Sequence, residues 1–257
     1  AGLRYYDRVV DCCLRHGVTP WMTLYHWELP QALEETGGWL RRETAEAFAR
    51  FAGKMAAQFT GRVSHFITLN EPQIVLKLGY ADGVHAPGKQ LSLPDLVSCW
   101  KNLMLAHGLA SRVIRAAAPG AQIGIASTGR LCYPHAAADE DAARQETFRL
   151  TDGDWMFTHP IVLDAVCFGR VTPEGGALAA LMQAVTREEW DTMRAVPDFI
   201  GVNAYNGSPI ASGPDGAPRY LPRPQGFART ALKWPITPEI MADGLSYLYD
   251  RYQRPLY

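Results

Sequence analysis

No glycine-rich phosphate loop, whether G-x-G-x-x-G or G-x-x-x-x-G-K-[ST], occurs in the 257 residues, which argues against a dinucleotide fold and a P-loop enzyme. Basic residues are not clustered beyond the pair Arg41-Arg42, and the formal net charge is -1. Such a chain has no field to follow a phosphate backbone, so no nucleic-acid partner is expected. No apolar run approaches the roughly 18 residues that cross a bilayer, and no basic segment followed by an apolar one opens the chain. No membrane partner is expected. Cysteine is scarce and unpatterned. Cys12, Cys13, Cys99, Cys132 and Cys167 are odd in number and form no C-x-x-C element, which speaks against a disulfide framework and a zinc site. Reduced thiols in a cytoplasmic protein are the expectation, with no metal and no organic cofactor.

What is present is apolar material in a regular order. With 47% hydrophobic and 20% charged residues the chain can bury a sizeable core. Leu3, Tyr6, Val10, Cys13 and Leu14 recur at helical steps that stop at His16-Gly17, and an apolar segment, Val18 to Leu24, follows at once. The order repeats. Ala45, Phe48, Ala49, Ala52, Met55, Ala56 and Phe59 predict a helix closed by Gly61, ahead of a strand over Val63 to Leu69. A helix over Leu96 to Ala117 precedes a strand from Gln122 to Ala126. Asp198 to Asn203 is a fourth strand, and a helix over Ile236 to Tyr252 leads to the apolar stub Pro255-Leu256-Tyr257. Helices alternating with two-sided apolar strands predict parallel βα units, closed as a barrel or open as a doubly wound sheet.

The strand ends favour the barrel, because chemistry in (β/α)8 folds sits at the C-terminal mouth. One strand runs out into Asn70-Glu71-Pro72 and another into Tyr25-His26-Trp27-Glu28. An amide, a carboxylic acid, an imidazole and an indole at one mouth suggest a sugar-handling site. The same residues admit a plainer reading. Glu71 could be a carboxylate favoured by a helix N-terminus, Asn70 a cap, His26 a satisfied core residue, and Asn203 with Tyr205 polar groups closing a buried strand end. A whole (β/α)8 barrel takes about 250 residues, yet four strands and the start of a fifth are all that this length shows. The expectation is a single domain over 1–257, an α/β (β/α)8 TIM barrel present only in part, with about four to five βα units. The Pro- and Gly-rich stretch from Asn206 to Trp234 reads as a long loop.

Four segments in order then identify a family. Tyr25-His26-Trp27-Glu28-Leu29-Pro30, Thr68-Leu69-Asn70-Glu71-Pro72, Gly83-Val84-His85-Ala86-Pro87-Gly88 and Phe199-Ile200-Gly201-Val202-Asn203-Ala204-Tyr205 together resemble the retaining β-glucosidases of glycoside hydrolase family 1. The resemblance implies barrel strands three to six and hydrolysis of β-linked glucosides by double displacement, with two carboxyl groups about 5–5.5 Å apart. Glu71 matches the acid/base and Tyr205 the tyrosine that orients the nucleophile. His26, Trp27, Asn70, Asn203, Thr128 and Trp234 match or neighbour sugar-binding positions. The nucleophile, in an Ile-Thr-Glu-Asn-Gly setting, would come after Tyr257, so the chain alone is expected to be inactive. Glu28 is a poor substitute.

Two departures from the family pattern bear on specificity. Gln73 stands where many relatives place an aromatic that stacks on the leaving group, and Ser127-Thr128 stand where relatives often have Asn. The partner expected is a small-molecule β-glycoside, with a second copy meeting the exposed barrel edges. The rivals are a catalytically silent sugar-binding protein on the same scaffold and a 6-phospho-β-glycosidase.

Overall fold

A computed structural model describes residues 2–257. Among these residues seven strands form: β1 (Trp21–Tyr25), β2 (His65–Asn70), β3 (Gln122–Ser127), β4 (Cys132–Pro134), β5 (Phe199–Val202), β6 (Ser208–Ser212) and β7 (Pro218–Tyr220). The four read from the sequence make one sheet in the order β1-β2-β3-β5, parallel throughout. Pairings such as Tyr25↔Leu69, Asn70↔Ala126 and Ser127↔Val202 bring the strands' C-terminal ends to one level. The terminal stub takes the next place, with Leu256 bridging Ile200 in parallel and Tyr257 N–H donating to the Ile200 carbonyl at 3.0 Å. Four βα units and the beginning of a fifth are therefore in place.

The helices pack outside this sheet. Leu93–Ala117 lies between the Arg42–Phe59 helix and the shorter helices that follow β4. The inner face is close-packed where β3 meets β5: a Cβ on Gly124 would stand 2.3 Å from the Phe199 ring, so only glycine admits that ring. Trp21 stacks on His65 with centroids 3.9 Å apart, and both approach Phe199. At the far edge β1 pairs on one side only, and Trp21 and Thr23 are exposed, as expected of a partial barrel.

Element boundaries differ from the sequence reading for local reasons. β1 begins at Trp21 rather than Val18, because the Val18 N–H closes the preceding helix on the Cys13 carbonyl and Pro20 has no N–H to give. The last helix spans only Asp243–Tyr252, preceded by a 3₁₀ turn at Pro238–Met241. The stretch from Asn206 to Trp234 is not a plain loop. β6 pairs in parallel with β4 and antiparallel with β7, forming a second, three-stranded sheet beside the mouth.

Candidate active site

Each strand of the main sheet delivers polar groups to the mouth as it ends. β1 ends at Tyr25, whose hydroxyl accepts from Trp39 Nε1 at 3.0 Å and donates to the Trp27 carbonyl at 3.2 Å. Burial pushes that phenol up to about 12, so it stays a neutral donor. Trp27 sits at φ 82, and its indole N–H donates to the Asn70 carbonyl at 2.9 Å. β2 ends in a register shift between Ile67 and Asn70, and Glu71 follows at φ 48. Pro72 then starts a helical turn that widens into a π-helix over Val75–Ala81. Non-glycine residues at positive φ cost of order 1–3 kcal/mol and persist where surroundings over-determine them. Among the described residues there are four, of which Trp27 and Glu71 are candidate site residues from the sequence and Lys233 precedes another, Trp234.

The hydrogen bonds join the strand ends across the mouth. Asn70 Nδ2 donates to His26 Nε2 at 3.3 Å, and Asn70 Oδ1 accepts from Asn203 Nδ2 at 3.0 Å. Asn203 Nδ2 also donates to Glu71 Oε1, and the Tyr205 hydroxyl donates to the same oxygen at 3.3 Å. Burial, with the Glu71 carboxylate beside it, raises the Tyr205 phenol above its ordinary range, which keeps it protonated as a donor. Glu71 is only 4% exposed, yet it lines a cavity of about 580 Å³ with Trp27, Thr128, Asn203, Tyr205 and Trp234.

The structure thus brings all eight sequence-derived site residues to one mouth, with individual qualifications. His26 does not line the main cavity; it reaches the site through Asn70 and lines a neighbouring cavity of about 400 Å³ on the other side of Trp27. Thr128 is buried and donates its hydroxyl proton to the Asn203 carbonyl at 3.1 Å, so it braces Asn203 and offers only lone pairs to the cavity. Trp234 packs edge-on against Tyr205 with centroids 5.1 Å apart. Gln73, the departure from the family pattern, turns inward. It is fully buried, donating to Ser127 Oγ at 2.7 Å and to the Thr158 carbonyl at 3.3 Å, and does not face the cavity.

Other cavity residues were given no role in the sequence reading. His85 lies 5.6 Å from Trp27 and lines both cavities, and the Gly83–Gly88 motif that carries it was the available signal. Leu131, Phe157, Arg130 and Asp154 come from the loops after β3, where the sequence shows no strand-end pattern. Among the described residues no group of three or more His, Cys, Asp or Glu could hold a metal ion.

A parallel sheet with outer helices and a buried carboxyl at its C-terminal rim defines part of a (β/α)8 enzyme barrel. The model of Glycosyl hydrolase family 1 matches residues 1–257, and the chain belongs to that family. Beta-glucosidase A of Thermotoga maritima is 31% identical over 260 residues, covering 99% of this chain and 56% of that protein. Beta-glucosidase 25 of Oryza sativa subsp. japonica is 36% identical over 225 residues, covering 79% and 43%. The structure of the family 1 β-glucosidase from Thermotoga maritima superposes with a TM-score of 0.82 at 31% identity, covering 100% of this chain and 56% of that one. The chain spans about half the length of these relatives.

Proposed function

We propose that this chain carries the acid/base half of a retaining β-glucosidase. The observation that supports the reading is the grip on Glu71: a buried carboxyl at the end of β2 receives Asn203 and Tyr205 from beyond β5 on a single oxygen, Oε1. Oε2 is then the oxygen left to pass a proton to a leaving group and later to take one from water. Asn70, held between His26 and Asn203, is the partner for a hydroxyl of the sugar. The β-glucosidase names of the relatives accord with this assignment.

The second carboxylate of a double displacement is not found among these residues. Asp154 shares the cavity but is paired with Arg130, and along the neighbouring one Glu28 is exposed while Glu34 is taken by Lys89 and Tyr80. Residues 1–257 alone therefore bind but do not turn over a glucoside. Among the described residues Arg130 is the one Lys or Arg lining either cavity, and its Nε, Nη1 and Nη2 are engaged by the Glu146 carbonyl, Asp154 and the Arg149 carbonyl. All five cysteines are free, which suits a reducing compartment such as the cytoplasm.

Turnover of a nitrophenyl β-glucoside by the purified chain, compared with its Glu71→Gln variant, tests the reading. The expected rates are equal and at background. In a longer polypeptide that supplies the family nucleophile, Glu71→Gln should lower kcat/KM by about 10²–10⁴-fold. Turnover by residues 1–257 above that of the variant would refute the split between two halves.

A further inference from the structure

Asn206-Gly207 is the one Asn-Gly pair in the chain, and it stands where the exit of β5 leads into β6. That pairing is open to spontaneous chemistry wherever the backbone is free, because glycine has no side chain to shield its nitrogen. The Gly207 nitrogen, its proton given up to solvent base, attacks Asn206 Cγ. The new C–N bond closes a succinimide ring, and the Cγ–Nδ2 bond breaks to release ammonia. Water then opens the ring at either carbonyl, leaving aspartate or, with the main chain rerouted through Cγ, isoaspartate. Asn206 lines the same cavity as Glu71, so conversion adds a carboxylate there. The glycine is fixed by its surroundings: a Cβ at position 207 would stand 2.3 Å from Ile240 Cγ2 and 2.5 Å from the Leu131 carbonyl oxygen.

We infer that Asn206 is a latent modification site, kept in its amide form by Thr237. The Thr237 hydroxyl oxygen accepts the Gly207 N–H at 2.8 Å in a buried setting, which keeps the attacking nitrogen protonated and out of reach of solvent base. Thr237 is itself buried and immediately precedes the 3₁₀ turn Pro238–Met241, which fixes its place. Two further bonds hold the same stretch of backbone. Arg223 Nη2 donates to the Gly207 carbonyl, and the Ser208 N–H donates to the Leu131 carbonyl at 3.0 Å. A neutral hydroxyl cannot take the proton away, so ring closure waits for a local opening that parts Gly207 from Thr237. The same opening exposes the Gly207 amide to hydrogen exchange. Nothing in this lock depends on what the cavity binds.

Peptide mapping by mass spectrometry of the chain held in mildly alkaline buffer tests the inference. Asn206 should stay an amide in the folded chain over a period in which the same chain in concentrated guanidinium chloride converts largely to the acid forms. Thr237→Val keeps the shape of the side chain and removes the acceptor, so conversion in the folded variant should speed up about fivefold or more. Thr237→Ser, which retains the oxygen, should stay near the wild-type rate. Where Thr237→Val does not fold, the wild-type chain at rising sub-denaturing guanidinium decides the matter. Conversion of Asn206 and hydrogen exchange at Gly207 should increase in proportion, since both proceed from the opened state. Asn206→Gln, whose longer side chain closes the ring far more slowly, should remove the mass gain. Folded wild-type chain converting as fast as the unfolded chain overturns the inference. So does a folded Thr237→Val that converts no faster than wild type, conversion that does not follow Gly207 exchange, or an undiminished mass gain in Asn206→Gln.

Discussion

Two helices of the outer layer carry apolar residues and use them differently. Leu93–Ala117 buries fourteen of its 25 residues, with helices on either side. Gly2–Arg15 buries only Val10, while Tyr5, Tyr6, Val9 and Leu14 stay exposed. Val10 and Leu3 attach it to the core, and a polar clasp in which Arg62 reaches Asp7 at 2.7 Å and Asp11 at 2.9 Å adds to this. Exposed Val18 and Trp21, leading into and along β1, continue the uncovered side. The middle of the chain is packed like a finished protein, and its β1 side presents surface that further barrel units cover in a closed (β/α)8 fold.

The largest effect that sharpens this contrast belongs to the packed side. Gly124→Val forces a branched side chain into a place where even the Cβ stands 2.3 Å from Phe199. The Phe199 ring is itself packed against Trp21, His65 and Tyr257, so it cannot swing aside without giving up those contacts. A loss of about 3 kcal/mol or more in urea unfolding, or an unfolded product, is expected. A fully folded variant of unchanged stability would show that the barrel interior is looser than described.

Next in size are two imidazoles enclosed on the same side. His107 Nε2–H donates to the Ala195 carbonyl at 2.9 Å, and its Nδ1 accepts from Thr68 Oγ1 at 2.7 Å. Burial drives its pKa down to about 4, and that of His159 down to about 3, from 6.5. Above about 6.5 both the folded and unfolded chains carry neutral imidazoles, and stability is indifferent to pH on their account. Below it the unfolded chain takes protons that the folded one refuses, so stability falls until the folded pKa values are reached. For His107 the loss by pH 4 is on the order of 3 kcal/mol. Urea midpoints measured from pH 7 to pH 4.5 should decline, and less steeply for His107→Gln. A wild-type profile flat over that range would show that solvent reaches these histidines.

The same contrast explains what could be read from the sequence. β2, β3 and β5 were legible because strands covered by the sheet's inner and outer layers are largely apolar, β1 was legible from its apolar run although one face is open here, and the polar exits His26-Trp27, Asn70-Glu71 and Asn203-Tyr205 stand out against that background. Between β3 and β5 the helices Glu140–Phe148, Pro160–Phe168, Gly176–Gln183 and Arg187–Met193 are each nine residues or fewer, too short for a periodic stripe to declare itself. β4, β6 and β7 run three to five residues and each contains proline, so the second sheet depends on tertiary pairing. The direction of the Gln73 side chain was not legible for a related reason. A position three residues past a strand can face the cavity or the helix behind it, and the positive φ at Glu71 decides which.

The smallest effect on stability is expected on the uncovered side, and it is the most direct test of the comparison. Tyr5→Lys and Val9→Lys replace exposed apolar groups of the Gly2–Arg15 helix, at 54% and 40% exposure. They remove little buried surface, and each should change unfolding free energy by no more than about 0.5 kcal/mol. Their consequence lies in association. An uncovered apolar helix face beside an unpaired strand edge favours contact between copies, so the wild-type chain should sediment with concentration-dependent weight. The double lysine variant should shift towards monomer, because two buried ammonium groups would have to be desolvated in the contact. If the wild-type chain stays monomeric at concentrations of tens of micromolar, or if Tyr5→Lys and Val9→Lys cost as much as a core substitution, the two helices differ less than their burial indicates.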